Sequence, residues 1–226
     1  MSSENPRQQT LSFGFADEPV PRDVLPFDGP TTYYGRILKA SDADRYLAEL
    51  EVQIPWAPDE VRIAGKLHVT RRKTAWFGDA AYGYGYSGTT RTAQPWTQLL
   101  RELRERISAR VGYAFNSCLL NRYADGGDGM SWHSDDEKWM APGVPIASLS
   151  FGADRRFRFQ HKHSGATAEV VLEHGSLLVM AGRTQQAWKH MLPKSKKVHD
   201  ARINLTFRRF DETLLPRPQG TARTVV

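Results

Sequence analysis

The sequence predicts an α+β chain that is mainly β, with two helices bracing a sandwich or barrel. Three observations predict it. Two amphipathic helical stripes lie in the first half of the chain. Seven short period-two segments fill residues 115–208, and the apolar content is 40% of 226 residues, enough to bury a core.

The elements follow in order. Residues 1–30 are rich in Ser, Pro, Asp and Glu with no sustained period, so a mostly disordered leader is expected. The leader lacks the apolar run of a secretory signal and is too acidic for a transit peptide, so the protein is expected not to be secreted. Ser41, Asp42, Ala43 and Asp44 resemble a capping box, and Tyr46, Leu47 and Leu50 follow at helical spacing. Residues 61–63 and 66–69 read as strands around a turn at Ala64 and Gly65. The run Tyr82-Gly83-Tyr84-Gly85-Tyr86 then sets three tyrosines on one strand face. A second helix opens near Pro95 with the stripe Trp96, Leu99, Leu100, Leu103 and Ile107, and Gly112 stops it. Strands are expected at 115–123, 145–151, 155–160, 169–173, 176–181, 187–191 and 202–208. The Pro/Arg/Thr-rich segment 214–226 is expected to be a loose tail, leaving one domain over 31–213.

The formal charge is +6, unevenly spread. Residues 1–59 carry 5 basic and 10 acidic side chains, whereas residues 60–226 carry 26 and 15. The basic excess sits on the body of the protein. That suits a polyanion partner, most simply nucleic acid, and a solvated basic surface is the plainer alternative. The apolar runs are far shorter than a membrane span, so no membrane association is expected. Cys118 is the single cysteine, which excludes a disulfide scaffold and fits a reducing compartment.

Three short segments carry chemistry. His133-Ser134-Asp135 puts imidazole and carboxylate on one face of an extended chain, where both can grip one cation. His190 is the best candidate for a third ligand. Two His and one carboxylate suit a non-haem Fe(II) oxygenase, and zinc fits the same donors. In residues 202–208, Arg202, Asn204, Thr206 and Arg208 share one face, with Ile203, Leu205 and Phe207 on the other. The polar face of such a strand usually meets water. Two arginines on it can instead fork onto a dicarboxylate such as 2-oxoglutarate. Asn121 and Tyr123 share a strand face ahead of the His-x-Asp, and an amide and a phenol can complete the contacts of a bound carboxylate. Of the other histidines, His68, His161, His163, His174 and His199 read as surface or core residues.

Together these segments resemble the AlkB family of Fe(II)/2-oxoglutarate-dependent nucleic-acid dealkylases, over residues 63–210. Asn-x-Tyr, His-x-Asp, His and Arg-x-Asn-x-Thr-x-Arg recur in order and spacing, and residues 121–126, 147–153 and 202–208 look like the branch that repairs duplex DNA. The resemblance implies a double-stranded β-helix, or jelly roll, over 115–210, with nucleotide-recognition hairpins over 60–90. It implies that His133, Asp135 and His190 hold Fe(II), with O2 as co-substrate. It implies that Asn121, Tyr123, Arg202, Asn204, Thr206 and Arg208 hold 2-oxoglutarate. Tyr84 and Tyr86 match the aromatic strand lining the base pocket, and Asp136 and Glu137 match acidic groups near the damaged base. Ala64, Gly65 and Lys66 match the hairpin tip that probes the duplex, and Arg72 and Lys73 match a phosphate-contacting segment.

The implied reaction is oxidative removal of N1-methyladenine and N3-methylcytosine type lesions from DNA, releasing formaldehyde, succinate and CO2. Both lesions are cationic and carry the methyl on the Watson–Crick edge, so the base must leave the stack and a dry carboxylate can select it. The basic runs 71–73 and 194–197 would add phosphate contacts. One departure stands out: the duplex-repair branch has a bulky aromatic where this chain has Ala64. A wedge needs volume, so weaker activity on duplexes relative to single strands is expected. The chain is expected to act as a monomer, in the cytoplasm or nucleoid if bacterial and in the nucleus if eukaryotic. The alternatives are an RNA or protein oxygenase of the same chemistry, or a non-enzymatic jelly-roll binder of alkylated nucleic acid.

Overall fold

The chain's strands build two sheets that face each other, and helices cover the outer side of the larger one. These features come from a computed structural model that describes residues 20–63, 66–86 and 89–214, without the side chains of 59–68 and 83–91. In chain order the elements are β1 (Arg22–Asp23), β2 (Thr31–Arg36), α1 (Ala40–Gln53), β3 (Ala57–Ile63), β4 (Lys66–Gly78), β5 (Gly83–Tyr86), β6 (Thr89–Thr92), β7 (Gln94–Pro95) and α2 (Gln98–Val111). There follow β8 (Ser117–Tyr123), β9 (Met130–His133), β10 (Ile146–Gly152), β11 (Arg155–His161), β12 (Thr167–Leu172), β13 (Ser176–Met180), α3 (Thr184–Ala187), β14 (Trp188–Leu192) and β15 (Arg202–Arg208). No described helix is long and apolar enough to cross a membrane.

The major sheet runs β1-β2-β13-β10-β15-β8-β4-β3, with β7 on β4, and the minor sheet runs β12-β11-β14-β9. This is the jelly roll that the resemblance implies. Alternation in the major sheet sorts side chains to two faces. Cys118, Leu120, Ala147, Leu149, Phe151, Ile203, Leu205 and Phe207 point outward and join Tyr46, Leu50, Leu100, Leu103 and Ile107 of the helices in one core. Burial pushes the Cys118 thiol well up, and the residue is packing rather than chemistry. The opposite face carries Asn121, Tyr123, Ser148, Ser150, Arg202, Asn204, Thr206 and Arg208, all buried. Of the two readings of residues 202–208, the one that puts the polar face in water does not hold. The minor sheet closes over it, and a second core including Phe159, Val170, Leu172, Leu178, Met180 and Trp188 fills the rest of the gap.

Local expectations hold with informative exceptions. The strands of 115–208 are all present, with ends shifted by a few residues. The Ser41 capping box is not used: α1 starts at Ala40, and its N-cap, Lys39, makes no side-chain cap. Ile37 and Leu38 are buried and the Ile37 N–H donates to Gly175 O at 3.0 Å, so the sheet sets how the chain enters the helix. Pro95 does not open α2, because it pairs with Gly78 as β7, and Thr97 Oγ1 caps the helix by accepting from the Leu100 N–H. Gly112 ends α2 at φ 76°, the left-handed region that glycine enters at least cost. The piece expected at 66–69 is the start of the 13-residue β4, long because β3 and β8 flank it. Residues 22–30, expected to be loose, belong to the fold: β1 pairs with β2, Leu25 is buried, and Phe27 O accepts from Trp188 Nε1 at 3.1 Å.

Candidate active site

The two sheets enclose a cavity of about 170 Å3 between their polar faces. β8 and β15 pair so that Arg202 lies opposite Tyr123, Asn204 opposite Asn121 and Thr206 opposite Leu119, which brings these side chains into the cavity wall. β10 adds Ser148, and β4 adds Arg72, Thr74 and Trp76. From the minor sheet come His133, at the end of β9, and His190 on β14, directly across from it in register.

His133 Nε2 and His190 Nε2 stand 3.1 Å apart, and Asp135 Oδ1 lies 3.8 Å from His133 Nε2. One donor atom from each residue lies within 4.8 Å of the others. The His133 Nδ1–H donates to Ser131 O at 2.8 Å, and that tautomer leaves the Nε2 lone pair facing His190. Burial lowers the His190 imidazole to about 4, against the opposing pull of Asp135. One hydrogen can lie between the two Nε2 atoms, and a metal ion can take its place. Donor spacing of about 3 Å matches metal–ligand bonds of about 2.1 Å at right angles. The residues therefore fit a divalent metal ion, on the donors expected from sequence. Phe157 packs tilted against the His190 ring, with centroids 5.2 Å apart, and His190 is buried.

Burial would raise the Asp135 carboxyl, but Arg208, His190 and His133 outweigh it and hold it at about 2. The Arg208 contact is 2.8 Å through Nη2, and Arg208 Nη1 donates to Glu137 Oε1 at 3.0 Å. Arg202 differs. Burial lowers its guanidinium to about 10, so it stays charged at neutral pH, and among the described residues it has no carboxylate partner. Its Nη2 donates to Ser150 Oγ and Asn204 Oδ1 at 2.9 and 2.8 Å, while its buried Nε has no hydrogen-bond partner among the described residues. Asn204 Nδ2 donates on to Thr206 Oγ1 at 2.9 Å. The buried Asn121 Oδ1 is likewise without a partner. A buried cation with an unused donor suits an incoming carboxylate.

The remaining expected residues divide. Glu137 lines the cavity with a buried, unpartnered Oε2, whereas its neighbour Asp136 is exposed and lies 3.8 Å from Lys162. Arg72 lies in the cavity wall, its Nη1 3.0 Å from Met130 Sδ. Lys73, next on the strand, faces solvent instead, since alternation separates neighbours. Arg71 pairs with Asp125 at 2.8 Å and lies 3.6 Å from Asp128. Tyr84 and Tyr86 lie on β5, across from Arg91 and Thr89 of β6, and their side chains are outside the described residues. Ala64 and Gly65 also lie outside the described residues, and Lys66 heads β4 with its side chain undescribed. Sequence reasoning missed Trp76, Ser148, Phe157 and Gln185. Trp76 and Ser148 carry only a period-two signal. Gln185 accepts from the Asp135 N–H at 2.9 Å, and nothing local announces it.

Residues 30–208 match the 2OG-Fe(II) oxygenase superfamily. The DNA oxidative demethylase ALKBH2 of Mus musculus is 43% identical over 193 residues, covering 80% of this chain and 81% of the relative. The alkB homolog 3 dioxygenase of Homo sapiens is 36% identical over 197 residues, 83% of this chain and 67% of the relative. The Arabidopsis thaliana ALKBH2 is 32% identical over 234 residues, 92% of this chain and 71% of the relative. The solved structure of OsALKBH1 shares the fold at a TM-score of 0.57 and 17% identity, over 82% of this chain and 99% of that one. With a His-Asp-His cluster that could hold a metal ion, a match to the oxygenase superfamily over residues 30–208 and relatives of this identity, the chain belongs to the AlkB family of Fe(II)- and 2-oxoglutarate-dependent dioxygenases, which use O2 as co-substrate.

Proposed function

We propose that this protein is a DNA repair dioxygenase, acting as a monomer, that removes N1-methyladenine and N3-methylcytosine type lesions and releases formaldehyde, succinate and CO2. The carrying observation is that the metal-ready cluster, Arg202 and the unpartnered Glu137 oxygen meet in one cavity built by one chain. Relatives named as DNA oxidative demethylases, at 43% and 32% identity, support the substrate class. A DNA substrate also means that the protein works wherever the cell keeps its chromosome, nucleoid or nucleus.

In this reading His133, Asp135 and His190 would hold Fe(II). Together with 2-oxoglutarate and O2, the bound iron supplies the oxidising power that hydroxylates an N-methyl carbon, after which the hydroxymethyl group leaves as formaldehyde. The chain's own residues position and select. Arg202 receives a carboxylate of 2-oxoglutarate, with Asn121, Tyr123, Asn204 and Thr206 around it. Arg208 holds the Asp135 carboxylate at 2.8 Å, so that it stays ionised and aimed at the metal. Glu137 offers its free oxygen to a cationic base and so discriminates alkylated from normal bases. Tyr84 and Tyr86 stack on the flipped base without regard to sequence. Arg72 lies near the flipped nucleotide, while Lys73 and the 194–197 loop meet phosphates. The tip at Ala64, Gly65 and Lys66 probes the duplex, and the small Ala64 favours single strands.

The test is formaldehyde and succinate release with Fe(II), ascorbate and 2-oxoglutarate on a DNA oligomer carrying one N1-methyladenine, beside the same RNA and a His133→Ala control. Turnover on DNA that vanishes in the control supports the reading. Turnover on RNA alone moves the substrate to RNA. Persistent binding without either product favours a binding module.

A further inference from the structure

The geometry points to Gln185 as a positioning residue that sets the carboxylate ligand Asp135 through its backbone. This rests on Asp135 being a metal ligand. Asp135 lies just beyond β9, in a segment that no longer pairs with the minor sheet. Among the described residues its N–H has one acceptor, Gln185 Oε1 at 2.9 Å, a side chain of α3. The preceding Ser134 Oγ donates to Trp188 O at 3.0 Å, the residue that ends the same turn. Both anchors of the ligand-bearing segment therefore come from residues 185–188.

That turn is itself held from three directions. Gln185 Nε2 reaches Met180 Sδ at 3.3 Å, and Lys162 Nζ donates to Gln185 O at 2.9 Å. Thr184 Oγ1 donates to Ala181 O at 2.7 Å and lies 3.1 Å from Thr31 Oγ1. Gly29 runs so close over Thr184 that an added Cβ would sit 2.5 Å from Thr184 Oγ1. The N-terminal segment, α3 and Asp135 thus form one mechanical chain. Gln185 is its last link before the metal ligand. Losing its acceptor frees the Asp135 backbone, so the carboxylate stays on Arg208 without a fixed angle towards the metal. Partners that orient a ligand in this way typically govern metal affinity by about 10- to 100-fold.

The experiment compares Gln185→Met, which keeps length and removes the acceptor, with Gln185→Glu, which keeps an acceptor. Two readouts are taken on the full chain: hydrogen exchange of the Asp135 amide without metal, and Co(II) titration followed by d–d absorption. In Gln185→Met the Asp135 amide should exchange about 10-fold faster and Co(II) should bind about 10-fold more weakly with a shifted spectrum. Gln185→Glu should retain the protected amide. Wild-type exchange and Co(II) binding in Gln185→Met overturn the proposal, as does equal deprotection in both variants, which would assign the effect to packing. Failure of the unsubstituted protein to bind Co(II) overturns the metal-site reading itself, whatever the amide shows.

Discussion

His133 Nε2 and His190 Nε2 face each other at 3.1 Å across paired strands, a contact that one proton or one metal ion can bridge. With Asp135, the pair offers three donor atoms to one metal ion. His190→Ala should abolish Co(II) or Fe(II) binding and bring turnover below detection, with far-UV circular dichroism unchanged. A chelator should silence the unsubstituted enzyme, and added Fe(II) should restore it. Retained metal binding in His190→Ala would remove this residue from the ligand set.

Arg202 is a buried cation with no carboxylate partner among the described residues, and in the proposed function its guanidinium donates to 2-oxoglutarate as a fork. Lysine keeps the charge and loses the fork. Arg202→Lys should raise KM for 2-oxoglutarate by roughly 10- to 100-fold, the equivalent of about 1.5–3 kcal/mol for a charged hydrogen bond. Co(II) affinity should stay as it is. An unchanged KM would place the co-substrate elsewhere in the cavity.

Glu137 presents its buried Oε2 to the cavity while Oε1 accepts from Arg208. Glu137→Gln should depress kcat/KM for cationic N3-methylcytosine about 10-fold more than for neutral N3-methylthymine, the equivalent of roughly 1.4 kcal/mol of charge discrimination. Comparing the two lesions cancels any effect passed through Arg208. An equal loss on both would mean that the carboxylate organises the site without reading charge.

Ala64 stands where the resemblance implies a bulky wedge. Ala64→Phe should raise duplex activity several-fold relative to single-strand activity, because a flipped base leaves a gap that volume fills. The measurement is turnover on the same lesion in both contexts, and an unchanged ratio removes the wedge argument.

Tyr33 donates to Glu173 Oε2 at 2.9 Å, and burial first, with Glu173 adding and Ser176 opposing, pushes its hydroxyl up to about 12. The folded value lies above the 10.0 of a free tyrosine, so the contribution to stability is complete below that pH and is lost as pH rises through about 12. Urea midpoints of the unsubstituted protein should fall more steeply across that window than those of Tyr33→Phe. Parallel slopes would mean that the hydroxyl ionises as freely folded as unfolded.

The sequence by itself determined which residue types carry the chemistry and on which strand face each lies. Alternation alone put Arg202, Asn204, Thr206 and Arg208 together, and the i, i+2 spacing joined His133 to Asp135. Helical spacing likewise marked Leu99, Leu103 and Ile107 as core, and these patterns are local, so local physics suffices to read them. Tertiary structure decided everything that depends on a partner far along the chain. Whether the Arg202 face meets water or a second sheet is settled by strands folding over it from residues 130–133 and 155–192. Which acid enters the cavity, Glu137 or Asp136, depends on Arg208 and Lys162, neither of them a sequence neighbour. The start of α1 follows the buried Ile37 and Leu38 rather than the cap at Ser41, and Gln185 gains its place only because α3 packs under the loop after β9. Backbone preference amounts to fractions of a kcal/mol per residue, and burial of a side chain to several times that, so packing prevails wherever the two disagree.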